Sequence, residues 1–117
     1  MNLDEAVRAH SAWKMKLSAY LRHPDASLKS IEVRSDCRCE LGKWLHGDGR
    51  KLAAIPEYKT LLERHAHFHR AAADVVDMAN SGKATSEATA LGAESPYSAA
   101  SREIVMAIMA LQKRLKS

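Results

Sequence analysis

His65 and His69 stand four residues apart in segment 58–79, where apolar residues recur every three or four positions. That period marks an α-helix with one buried face. The stripe reads Tyr58, Leu61, Leu62, His65, Phe68, His69, Ala72, Val75, Val76 and Ala79. The two histidines therefore replace apolar residues on the inward face, whereas His67 points elsewhere. Imidazoles at i,i+4 share one face, with Cβ atoms about 6 Å apart, close enough to share one metal ion. Pro56 suits the first helical position, where its missing N–H costs nothing. Asn80-Ser81-Gly82 stops the helix.

An earlier stripe reads Leu3, Val7, His10, Trp13, Leu17, Tyr20 and Leu21. It predicts a helix from Leu3 to Arg22, with Asn2 as N-cap and Glu5 reaching back as in a capping box. His23-Pro24 ends it, because the residue before proline avoids the helical region. His10 lies on the inward stripe. Segment 25–31 reads as a connector with room for a helical turn. Segment 36–46 reads as a short helix capped by Ser35, stopped by Gly47-Asp48-Gly49, and carrying Cys39. Gly42 lies one turn after Cys39, and its missing side chain permits close approach of a helix or a metal. Segment 83–93 looks helical, Ser95-Pro96-Tyr97 interrupts, and 98–115 is helical with Ile104, Ile108, Leu111 and Leu115 at helical spacing. Gly and Pro number only 5 and 3, and helix formers dominate. The expectation is all-α: an antiparallel four-helix bundle with a short additional helix carrying the cysteine, in one domain over residues 1–117.

Three imidazoles and a thiolate, His10, His65, His69 and Cys39, suit Zn2+ in a closed tetrahedral shell. Copper or cobalt would also accept this set, though zinc is the commonest tenant. A lone core histidine is more often hydrogen-bonded than ligating, and a lone buried cysteine is usually a small apolar residue. The convergence of four candidates on inward faces is what favours a metal. His23, His46 and His67 read as solvated or capping residues. Cys37 and Cys39 on a helix would point about 200° apart, so both cannot hold one ion. One cysteine belongs inside the fold and the other elsewhere.

The formal charge of +4 is spread along the chain, and no nucleic-acid-binding motif accompanies it, so nucleic acid is not an expected partner. No uncharged run is long enough to span a bilayer, and the start lacks a signal-peptide layout. A cytoplasmic protein is expected. Zinc-assisted hydrolysis needs an open coordination position and a nearby base, whereas Ala66 follows His65, so no catalytic residues and no enzyme are expected. Met106 and Met109 read as core residues, with a homodimer or receptor contact as the other reading.

His10-Ser11-Ala12-Trp13, Cys39-Glu40-Leu41-Gly42-Lys43-Trp44 and His65-Ala66-His67-Phe68-His69 together resemble the chemoreceptor zinc-binding (CZB) domain family. The Cys-x-x-Gly-Lys-Trp element is the specific part, and segment 101–108 resembles the family's last helix. The resemblance implies a helical bundle holding Zn2+ through His10, Cys39, His65 and His69. It also implies bacterial signalling. Family members sit on chemoreceptors and diguanylate cyclases or stand alone, and sense zinc or oxidants such as hypochlorous acid through the zinc-bound cysteine. A stand-alone member would pass its signal to a chemotaxis or cyclic-di-GMP partner or through self-association. The alternative is a zinc-stabilised bundle that serves only as an interaction scaffold. Cys37 is an addition to the family pattern.

Overall fold

The computed structural model describes residues 1–81 and 86–116. Its helices are α1 (Leu3–Arg22), α2 (Ser30–Arg34), α3 (Glu40–His46), α4 (Pro56–Asn80), α5 (Glu87–Leu91) and α6 (Pro96–Lys116), with a 3-10 turn at Asp48–Leu52. The described residues contain no strand.

Local chemistry sets most of these boundaries. The Asn2 side chain accepts a hydrogen bond from the Glu5 backbone N–H at 3.2 Å, and Asp4 and Glu5 fill the first turn, where the helix dipole favours negative charge. Pro56 opens α4 with Ile55 as N-cap. Pro96 opens α6 two residues earlier than the apolar spacing alone indicates, and the Ser95 hydroxyl accepts from the Ser98 N–H at 3.2 Å. The predicted helix over 83–93 is confined to Glu87–Leu91 among the described residues; Lys83, Ala84 and Thr85 lie outside them, as does Gly82 of the predicted stop after α4.

Hydrogen bonds and ion pairs between helices fix their directions. Tyr20 donates to the Asn80 side chain at 2.6 Å, while His10 lies beside His65, so α1 and α4 run parallel. Arg64 pairs with Glu103 at 3.2 Å and Arg114 with Glu57 at 3.9 Å, so α6 runs antiparallel to α4. Between α1 and α4 the chain returns alongside α4 in steps. Asn80 donates to the Leu28 carbonyl at 3.1 Å, Arg34 meets Asp77 at 3.1 Å, and Tyr58 donates to the Leu45 carbonyl at 2.6 Å. The result is the expected all-α fold, with the second member of the arrangement broken into α2 and α3.

That break corrects the expected helix over 36–46. Only Glu40–His46 is helical, and Ser35 is the C-cap of α2 rather than an N-cap. The predicted connector over 25–31 likewise gives way to α2 from Ser30 onward. The apolar stripes of α1 and α4 fill the interior, with Leu17, Leu61, Phe68 and Val76 at 0% exposure. From α6, Ile104, Ile108 and Leu111 join them. Met106 and Met109 do not; at 69% and 56% exposure they correct the core reading.

Ala26, in the turn between α1 and α2, has φ 64°. An L-residue with a Cβ is disfavoured in that left-handed region, where glycine is at ease. The Asp25 carboxylate accepts from the Ser27 N–H at 3.0 Å and helps hold the turn. Ala26→Gly is expected to raise stability by about 0.5–1 kcal/mol in a denaturant titration.

Candidate metal centre

The break in the second member delivers a side chain that a continuous helix would not. Cys39 is itself the N-cap of α3, in extended backbone, and its Sγ accepts from the Gly42 N–H at 3.3 Å. A sulfur in that position faces the positive end of a helix. Gly42 makes the geometry sterically allowed. A Cβ there would sit 1.8 Å from the Asp36 carbonyl oxygen. The glycine thus admits the chain's own backbone at the break, rather than another helix. We expect Gly42→Ala to open this closure, cost about 2–3 kcal/mol of stability in chemical denaturation and weaken metal binding.

Three buried imidazoles meet the sulfur. His10 from α1, His65 and His69 from α4 are 2%, 0% and 3% exposed. Cys39 Sγ lies 3.1 Å from His65 Nε2 and 3.6 Å from His69 Nε2, and those two nitrogens are 3.1 Å apart. His10 completes the group: one donor atom from each of the four residues can be chosen so that all lie within 4.8 Å of one another. The four residues named from the sequence are therefore brought together in one group. His67 is exposed, as its offset from the stripe implied, and Cys37 is exposed while Cys39 is half-buried.

Backbone carbonyls orient two of the rings. His10 Nδ1 is 2.8 Å from the Ala6 carbonyl and His69 Nδ1 is 2.8 Å from the Val33 carbonyl. A carbonyl can only accept, so each Nδ1 carries the proton and each Nε2 presents a lone pair. Neither carbonyl was legible beforehand, because a main-chain acceptor carries no residue-type signal. One is the ordinary i−4 carbonyl of α1. The other comes from α2, which the apolar pattern did not resolve.

The donor set fits zinc. Bond lengths of about 2.0–2.1 Å to nitrogen and about 2.3 Å to sulfur give tetrahedral donor separations of about 3.3 Å and about 3.6 Å. The observed contacts of 3.1, 3.1 and 3.6 Å lie close to those edges. His10 Nε2 is buried without a hydrogen-bond partner. A lone pair left without a donor in a dry interior is costly, and a cation beside it would remove that cost.

Electrostatics select the ligating protonation states. Burial pushes His65 down to about 3, with the nearby His69 and His10 adding to the effect. Burial also lowers His10, against the pull of its Ala6 hydrogen bond, and lowers His69, against that of Val33. All three rings are thus held neutral, the form that binds a metal. Burial raises the Cys39 thiol, outweighing the backbone N–H groups around it. The protein alone therefore keeps this sulfur protonated, whereas a bound cation would hold it as thiolate.

A recess of about 240 Å3 between the start of α1 and the start of α3 reaches this group, with His10 and Cys39 in its wall. Among the described residues no helix is long and apolar enough to cross a membrane.

An all-helical fold with three histidines and one cysteine converging in its interior defines a metal-binding helical domain. The family model described as the chemoreceptor zinc-binding domain matches residues 10–76, which spans all four converging residues and more than half the chain. The chain belongs to that family, and its cofactor is zinc. The resemblance of segment 101–108 to the family's last helix lies beyond the matched span. No curated protein and no solved structure matches the chain.

Proposed function

We propose that residues 1–117 form a single zinc-binding sensory module, with His10, Cys39, His65 and His69 as the four ligands. The observation that carries this reading is the position of Cys39: it is at once a member of the buried donor group and the N-cap on which α3 begins. A change at that sulfur alters a metal site and a helix start together.

When bound, zinc would keep the Cys39 sulfur deprotonated and so nucleophilic near neutral pH. The other steps belong to the chain. The recess beside His10 and Cys39 gives a small oxidant a route to the sulfur. Two-electron oxidation to sulfenic acid, with the oxygen supplied by the oxidant, would weaken the sulfur as a donor. It would also weaken its hydrogen bond from Gly42, and α3 would leave the bundle. Loss or gain of zinc would bias the same two packings. The output would pass to a signalling protein in chemotaxis or cyclic-di-GMP control, or to a second copy through the exposed Met106 and Met109 face. A cytoplasmic address and the lack of catalysis belong to the same reading.

The test is zinc release. Purified protein treated with hypochlorous acid should release one equivalent of zinc to a chromogenic chelator, with Cys39 modified by mass spectrometry. Full zinc retention with Cys39 intact would instead leave a zinc-stabilised scaffold.

A further inference from the structure

A second group of metal-binding side chains lies on the outer side of the break between α2 and α3, and the inner site does not use it. Asp36 Oδ2 is 3.3 Å from His46 Nε2, and the Cys37 thiol is 3.6 Å from Asp36 Oδ1. One donor atom from each of the three residues lies within 4.8 Å of the others. Cys37 and His46 are exposed and Asp36 is partly buried. We propose that Asp36, Cys37 and His46 form a second, solvent-facing site for a divalent cation of the zinc type.

The fold builds this group. The close seating of the Asp36 carbonyl over Gly42 brings the break against α3. Asp36 and Cys37 thereby come over the last turn of α3, where His46 projects. Carboxylate oxygen, thiolate sulfur and imidazole nitrogen are borderline donors, which suit zinc and cobalt better than magnesium or calcium. Tetrahedral zinc with this set needs donor separations of about 3.3–3.6 Å. The Asp36–His46 pair is already at 3.3 Å through Oδ2, and the Cys37 sulfur lies 3.6 Å from the other carboxylate oxygen, Oδ1, so a turn of the carboxylate brings one oxygen to both partners. Three protein ligands leave the fourth position to water, so the ion here exchanges readily, unlike one enclosed by four protein ligands. Filling the site ties Asp36 to His46 across α3 and so holds in place the same backbone that carries Cys39. The proposal does not depend on what the inner site senses.

The test adds Co2+ to protein purified with its resident zinc, and follows visible and near-ultraviolet absorption together with zinc release. We expect one equivalent of Co2+ to bind without zinc release and to produce a sulfur-to-cobalt charge-transfer band. Cys37→Ser should abolish the band, and Asp36→Asn and His46→Gln should each weaken Co2+ binding at least tenfold, with the helical circular dichroism unchanged. Absence of the band in the unsubstituted protein would overturn the proposal. So would a band that survives Cys37→Ser, because the thiolate would then be Cys39 after displacement of zinc. Neither of these results bears on the oxidant test above.

Discussion

His65→Ala will leave the protein unable to retain zinc through desalting. Structural zinc in small domains binds with an apparent free energy of about 10–16 kcal/mol at neutral pH, shared among four ligands. Removing one is therefore expected to weaken binding by at least about two to three orders of magnitude. His65 is the most demanding position, because its ring is 0% exposed and its Nε2 contacts both the Cys39 sulfur and His69 Nε2. The substitution also leaves a cavity beside His10 and His69, adding about 2 kcal/mol of destabilisation on its own. Dialysis against a chelator of known affinity reads the first effect. Thermal unfolding of the zinc-stripped parent and variant isolates the second.

Acid will unfold the zinc-stripped protein from a pH at which the zinc-loaded protein is still folded. The folded-state value of His65 lies at about 3, below its ordinary 6.5. Above 6.5 the ring is neutral in both folded and unfolded chains and makes no difference to stability. As pH falls from 6.5 towards about 3, the unfolded chain takes up a proton that the folded chain refuses, so stability is lost throughout that window. For His65 alone the loss is on the order of 4 kcal/mol by the bottom of the window. His10 and His69, both lowered by burial, act in the same direction. Zinc stabilises the folded state by mass action until protons displace it, which shifts the midpoint to lower pH. Circular dichroism at constant ionic strength, with and without zinc, measures both curves. An acid midpoint that is the same with and without zinc would show that the buried histidines do not hold the ion.

The long helices were legible because their evidence is local and redundant. In α1 and α4, spacing, caps and prolines agree, and the histidines fall on stripes that nothing else contests. The converging group was legible for the same reason: His10, His65 and His69 occupy positions where an apolar residue was due. The start of α3 was not legible. Asp36, Cys37 and Arg38 have no strong preference against helix, and the break exists because the Asp36 backbone seats against Gly42, a tertiary contact. Met106 could have been placed from the sequence, since it lies about 200° round the helix from both Ile104 and Ile108. The Val33 carbonyl beside His69 and the grouping of Asp36 with His46 depend on the path of α2 and of the break, which no side-chain pattern encodes.

Zinc held by three imidazole nitrogens and the sulfur of Cys39 has a distinctive coordination shell. X-ray absorption at the zinc edge, on Cys37→Ser protein loaded with one equivalent of zinc, reads it with Cys39 as the only thiol present. The expected shell is one sulfur at about 2.3 Å and three imidazole nitrogens at about 2.0–2.1 Å. A shell of nitrogen and oxygen alone, with no sulfur scatterer, would contradict it.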